Sequence, residues 1–166
     1  MTATLHVLCG KIGAGKSTLA KRLAAETGAI VIGEDHWLST LYPAEIADLA
    51  DYIRASERLR RAIASLIVEL LTRGQDVVLD FPANTVVGRA WMLGLAQDAG
   101  VPATLHFLDP PDDVCRARMH ARNASGEHPY QVDDATFDTF GAHFVVPVAE
   151  EGFVIVRTSS ARSRFS

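Results

Sequence analysis

Cysteine is scarce in this chain: Cys9 and Cys115 are the two present in 166 residues. Two distant thiols make neither a disulfide framework nor a zinc-ligand set, and they suit buried or half-buried positions in a reducing cytoplasm. Basic charge is not in excess either. The 16 Lys and Arg residues against 20 Asp and Glu leave a formal charge of −4, and the basic residues are scattered, which argues against a nucleic-acid surface. No apolar run approaches the ~20 residues of a membrane span. The N-terminus has neither the basic segment nor the apolar core of a secretory signal, so none is expected. Repeats, low-complexity tracts and long linkers are also missing. What remains is a chain that is 48% apolar, enough to bury a core in one domain over residues 1–166. Monomer and homodimer both stay open.

Five apolar runs read as strands, at 5–9, 29–32, 76–79, 103–108 and 153–156. Most are continuous rather than alternating, as in strands covered on both faces. Helical periodicity separates them, at 17–27, 44–54, 57–73, 85–98, 112–123 and 133–140. A break is expected near Ala55-Ser56, Asn84 is the expected cap of the fourth helical stretch, and Pro110-Pro111 is a helix-start signal. Gly28, Gly74 and Gly100 follow helices as C-terminal punctuation. The polar end at 162–166 is expected to fray. Alternation of this kind predicts an α/β fold, a parallel sheet with helices on both sides joined by right-handed crossovers. Ligands of such sheets bind beyond the carboxyl ends of the strands.

The first such end carries Gly10-Lys11-Ile12-Gly13-Ala14-Gly15-Lys16-Ser17. This matches the phosphate-binding pattern G-x-x-x-x-G-K-[ST] at every fixed position, between a strand and a helix. Successive main-chain N–H groups from Gly10 to Ser17, Ile12 and Ala14 included, and the helix N-terminus suit a polyphosphate. Gly10, Gly13 and Gly15 leave no side chain between main chain and phosphate. Lys16 is expected between the β- and γ-phosphates, and Ser17 on Mg²⁺. Thr18 suits either the α-phosphate or an ordinary helix position. Lys11 is expected in solvent.

Three further strand ends carry chemistry. Gly33-Glu34-Asp35-His36-Trp37 follows the second strand, and Asp35 suits an acid that engages an acceptor hydroxyl, a ligand to Mg²⁺-bound water, or a helix cap. His36 reads as a bystander more readily than as a base. Trp37 and Tyr42 suit either an acceptor wall or the core. Asp80 closes the third strand in an hhhD pattern, facing Mg²⁺ through water or the acceptor, or simply a turn. After the fourth strand, Arg118 and Arg122 lie four apart on one helical face, with Arg116 about 200° away from Arg118. Such a pair would neutralise charge on a transferred γ-phosphoryl group, or form a solvated basic face. Arg89 suits an acceptor anion or the surface. Glu127, His128 and Tyr130 are substrate candidates by position alone. His6, His106 and His143 show no metal-ligand pattern.

These motifs resemble the small P-loop kinases of the AAA_33-type group, which includes zeta toxins, chloramphenicol phosphotransferase, gluconate kinase and the kinase domain of polynucleotide kinase. The matching parts are G-K-I-G-A-G-K-S-T-L-A from Gly10, Glu34-Asp35, V-V-L-D ending at Asp80, and L-D-P-P-x-x-V-x-x-R-x-x-x-R-N from Leu108 to Asn123. The resemblance implies a three-layer α/β/α fold with a five-stranded parallel sheet of order 2-3-1-4-5. It implies ATP as donor, Mg²⁺, a short lid around 112–132 carrying Arg118 and Arg122, and Asp35 as the acid at the acceptor hydroxyl. Departures narrow it. Asp80-Phe81-Pro82-Ala83-Asn84 lacks the Gly and Arg of an adenylate-kinase D-G-F-P-R run, no [NT]-K-x-D guanine motif occurs, and no second acid follows Asp80 as in motor ATPases. The implied activity is ATP-dependent transfer of the γ-phosphate to a hydroxyl of a small molecule. A nucleotide sensor with slow hydrolysis, a zeta-like nucleotide-sugar kinase and an antibiotic-modifying kinase stand beside it as alternatives.

Overall fold

The structure is a computed structural model that describes residues 2–126 and 131–158. The candidates Glu127, His128 and Tyr130, and the end at 162–166, lie outside the described residues. Five parallel strands, β1 (Leu5–Cys9), β2 (Ile30–Gly33), β3 (Val77–Asp80), β4 (Ala103–Leu108) and β5 (Val154–Thr158), pair in the order β2-β3-β1-β4-β5. Between them run α1 (Lys16–Thr27), α2 (Glu34–Leu41), α3 (Leu49–Thr72), α4 (Val86–Ala99), α5 (Asp112–Ser125) and α6 (Asp134–Ala142).

Each central strand is largely buried on both faces because each face has its own helical layer. Leu5, Val7, Cys9, Val77, Leu79, Leu105 and Phe107 join one core with Leu38 of α2, the α3 stripe Leu59-Ile63-Ile67-Leu71, and Met92 and Leu95 of α4. Leu8 and Val78, of opposite parity, join a second core with Leu19, Ala20 and Leu23 of α1, Cys115 and Met119 of α5, and Phe137 of α6. The i, i+4 stripe on α3 contributes about 1.5–3 kcal/mol per buried side chain. The edge strands depart from the expected double burial. Val154 and Val156 of β5 and Ile30 and Val31 of β2 are exposed.

Strand bounds shift by a residue or two at most from those expected, and three local readings need correction. The predicted break at Ala55-Ser56 does not occur. α3 is continuous, and both residues are buried; the Ser56 hydroxyl donates to Glu34 Oε2 at 2.7 Å instead of competing for its own backbone. The helix expected from residue 44 starts at Leu49, capped by Asp48, and Ala44 has φ 60° in the left-handed region. α4 is capped by Thr85, whose side chain accepts from Gly88 N, rather than by Asn84. α2 had no sequence expectation, since eight residues give too little periodicity to read.

Between β1 and β4, His6 Nδ1 and His106 Nε2 sit 3.0 Å apart, and His6 Nε2 is 3.9 Å from Asp76 Oδ2. That bond needs one neutral ring as acceptor. Burial first, then the neighbouring His6 and Arg22 of α1, push His106 down to about 4; burial also lowers His6, with Asp76 opposing. A depressed histidine pKa favours the neutral folded form, so stability is full above the unfolded value of 6.5 and falls as the pH drops towards about 4. Urea midpoints should therefore fall between pH 7 and pH 4 by the equivalent of about 1–2 kcal/mol, once screening by nearby water is allowed for. His106→Phe should flatten that part of the profile, and an unchanged slope in the variant would remove the pair as its cause.

Candidate active site

The parallel register delivers the site. Gly33 of β2 lies opposite Asp80 of β3, and Cys9 of β1 lies opposite Phe107 of β4. The strands thus end together, and the segments leaving them enclose one cavity of about 570 Å³. Its lining brings together Ile12, Gly13, Ala14, Gly15, Lys16, Ser17, Thr18, Asp35, Asp80, Arg118 and Arg122. Of the expected site residues, Gly10 and Arg89 are not in that lining.

The loop's glycines meet conditions that other residues fail. A Cβ on Gly13 (φ +78°) would stand 2.2 Å from the carbonyl oxygen of Cys115, and one on Gly10 would stand 2.8 Å from that of Leu108. The main chain of the loop is pressed against the end of β4 and the start of α5. Gly15, at φ 102°, is the residue from which α1 starts, with no side-chain cap on its N-terminus. Lys16 Nζ donates to the carbonyls of Gly10 at 2.8 Å and Lys11 at 3.1 Å, so the ammonium lies across its own loop. Burial lowers the Lys16 pKa, and the nearby carboxylate of Asp80 works against that. Ser17 Oγ donates to Asp80 Oδ2 at 2.9 Å. The hydroxyl and carboxylate expected to share Mg²⁺ are thus already adjacent, an oxygen pair that fits a hard divalent cation.

α5 turns its two arginines inward as the i, i+4 spacing requires. Arg118 Nη1 donates to the carbonyl of Ala14 at 3.3 Å, and Arg122 Nε is buried with no hydrogen-bond partner among the described residues. Arg116 points the other way, to Asp134 and Asp138 at 2.7 Å each and over the Phe137 ring, which ties α5 to α6. Lys11, expected in solvent, instead pairs with Asp112 at 2.8 Å.

Glu34 and Asp35 follow one another but face different surroundings. Gly33 is the N-cap of α2, so Asp35 lies within the first turn and is not the cap. Glu34 is buried, accepts from the Tyr52 hydroxyl and from Ser56, and has its pKa raised chiefly by burial. Asp35 lines the cavity. Trp37 and Tyr42 pack against the core rather than the cavity. The far wall instead comes from Ile46, Leu49, Tyr52, Phe81, Pro82 and Phe140. Sequence reasoning missed most of these, because apolar residues on a helix N-terminus and a distant helix carry no motif.

Arg89 corrects an expectation. It is fully buried, with Nε 2.8 Å from Glu151 Oε1 and Nη1 donating to the carbonyls of Ala83 and Val145 at 3.0 and 2.8 Å. It braces α4 against the segment before β5, is buried rather than on the surface, and does not line the cavity. Among the described residues, no group of three or more His, Cys, Asp or Glu is placed to hold a metal ion, and no helix is long and apolar enough to cross a membrane.

The AAA_33 family pattern, described as an AAA domain, matches residues 5–147. The chain belongs to that family. This AAA_33 chain is also 27% identical over 143 residues to guanylate kinase of Desulfotalea psychrophila, spanning 74% of this chain and 68% of that protein. Its fold is shared by a protein of Chloroflexus aurantiacus assigned as a kinase, with a TM-score of 0.77, 19% identity, and coverage of 96% of this chain and 89% of the other. Kti12 of Chaetomium thermophilum, solved with ADP-AlF3, has a TM-score of 0.71 and 16% identity, covering 93% of this chain and 88% of the other. The expected three-layer fold with strand order 2-3-1-4-5 is the one observed, and it is the fold of P-loop kinases.

Breaking a buried ion pair from one side leaves an uncompensated charge and typically costs about 3–5 kcal/mol. Glu151→Ala should lower the urea-unfolding free energy of this AAA_33 protein by about that amount, while nucleotide affinity measured below the transition stays within about twofold. Normal stability with lost acceptor turnover would restore the Arg89 end of the pair to the site.

Proposed function

We propose that the chain is an ATP-dependent phosphotransferase that moves the γ-phosphoryl group to a hydroxyl of a small molecule, in the cytoplasm. The observation that carries this reading is the shared cavity. Its lining holds Lys16, Ser17, Arg118 and Arg122 together with Asp35 and Asp80, and continues over the apolar residues Ile46, Leu49, Phe81 and Phe140, which supports a second substrate beside the nucleotide. A nucleotide sensor needs the first half of that cavity and has no use for the second. The free, buried state of Cys9 and Cys115 agrees with a reducing compartment.

In this reading ATP is the donor substrate on Gly10–Ser17, with Thr18 within the same lining. Ser17 and Asp80 would hold Mg²⁺, which when bound offsets negative charge on the phosphate oxygens. Lys16 leaves its carbonyl partners for the β- and γ-phosphate oxygens. Asp35 orients the acceptor hydroxyl and takes its proton as the oxygen bonds to the γ-phosphorus. The bond to the leaving ADP oxygen breaks in line. Arg118 and Arg122 meet the charge spread over the equatorial oxygens. Arg122, with its buried Nε still lacking a partner, gains most from an anion. Catalysis here is positioning and electrostatic stabilisation.

The guanylate-kinase relative raises a nucleotide acceptor as a second reading. It is disfavoured by the run Asp80-Phe81-Pro82, which lacks an arginine, and by the burial of Arg89 against Glu151.

Arg118→Ala and Arg122→Ala should each lower the turnover number about 10³-fold or more while retaining measurable Mg·ATP binding by calorimetry. Asp35→Asn should keep ATP affinity and lose transfer. Lys16→Ala should lose both. Steady ATP consumption that no hydroxyl compound stimulates, unchanged across the arginine and aspartate variants, would replace the kinase with the sensor.

A further inference from the structure

α3 carries a polar stripe beside its apolar one. Tyr52, Ser56 and Arg60 stand four apart, so they share one face of the helix. The Tyr52 hydroxyl donates to Glu34 Oε1, and the Ser56 hydroxyl to Glu34 Oε2 at 2.7 Å. Burial, and then Glu34 itself, push the Tyr52 pKa well above its ordinary value, so this hydroxyl keeps its proton and remains the donor. Arg60 attracts Glu34 electrostatically. Its guanidinium lies 5.1 Å from the centroid of the Trp91 ring and 6.0 Å from that of Phe81. Three groups of α3 thus answer one carboxylate that is 1% exposed. A buried charge needs such partners, and charge-assisted bonds are the strong ones.

α2 depends on this tie for its placement. Its N-cap is Gly33, which makes no side-chain bond, and Glu34 and Leu38 are the two buried residues among its eight. Glu34 is the first residue of that helix and Asp35 the second. With about 100° of rotation per residue, holding Glu34 against α3 sets the direction in which Asp35 leaves the first turn. Asp35 lines the cavity and acts electrostatically on Lys16. The same stripe backs the second acidic turn, because Phe81, against Arg60, directly follows Asp80. Glu34 and Ser56 themselves are not in the cavity lining. We infer that Glu34 is a positioning residue: held by Tyr52 and Ser56, it fixes Asp35 at the reacting hydroxyl without touching the substrate. This rests on the phosphotransferase reading above and deepens it by assigning what aims Asp35.

Two variants each remove one hydroxyl. Ser56→Ala acts outside the cavity and introduces a good helix former; Tyr52→Phe keeps the ring in the wall. Water and molar glycerol serve as probe acceptors. The acceptor oxygen bonds to the γ-phosphorus, its proton passes to Asp35, and the bond to the ADP oxygen breaks. Transfer is followed on the full chain with γ-labelled Mg·ATP, and nucleotide affinity by calorimetry with Mg·AMPPNP, both far below the unfolding transition. Each variant should hold its Mg·AMPPNP affinity within about twofold of the parent and slow transfer about fivefold or more, since a small misplacement of a reacting group costs up to ~10²-fold. In an Asp35→Asn chain the same substitutions should change the residual rate by less than about twofold, because the group they aim is gone. A slowing of less than fivefold in a folded variant overturns the inference, as does affinity that falls in step with the rate. So does a larger loss in the Asp35→Asn background, which marks a general structural defect. One folded variant is enough to decide. A parent chain that binds no Mg·AMPPNP, or that transfers to neither acceptor faster than Lys16→Ala, overturns the phosphotransferase reading itself before any hydroxyl is removed.

Discussion

Parallel pairing of β3, β1 and β4 is the constraint on which the rest of the molecule depends. With β1 between the other two, the phosphate loop leaves the sheet flanked by Asp80 on one side and by the Leu108–α5 turn on the other. Each neighbour then brings a side chain to the loop: the Asp80 carboxylate beside Ser17, and Arg118 on the loop carbonyls. The pairing survives because every central strand is covered on both faces, which the two cores achieve with different helices. Burial is thus tied directly to chemistry. The alternation of parity packs Val7 against one layer and Leu8 against the other.

Electrostatics at the site follows from dehydration more than from any single pair. Lys16 is depressed by burial, and Asp80 only partly offsets this. The ammonium rests on the carbonyls of Gly10 and Lys11, and in the proposed reading little of its side-chain freedom would remain to be lost when a phosphate replaces those contacts. Glu34 accepts from two hydroxyl donors, whereas its neighbour Asp35 lines the cavity. Two adjacent carboxylates thereby sit in different surroundings.

Much of this was legible in the sequence, for identifiable reasons. The phosphate loop is a contiguous motif whose glycines answer local geometry, and the i, i+4 spacing of Arg118 and Arg122 survives folding because a helix carries it intact. Asp80 was legible because a parallel strand must end where its neighbour ends. Arg89 was not: its partners Glu151 and Val145 lie more than 50 residues away in sequence, and nothing local distinguishes a buried guanidinium from a surface one. The apolar side of the cavity was likewise hidden, since Leu49, Tyr52 and Phe140 come together only through tertiary packing. Ser56 misled by its ordinary preference for helix breaks, which a buried carboxylate overrode.

The contact of Gly13 with the Cys115 carbonyl has one more consequence. It leaves no room for a side chain between the loop and the first turn of α5. The eight-residue motif is accordingly no portable cassette: grafted onto another sheet without the stretch from Leu108 to Cys115, it would lose the surface that holds its shape.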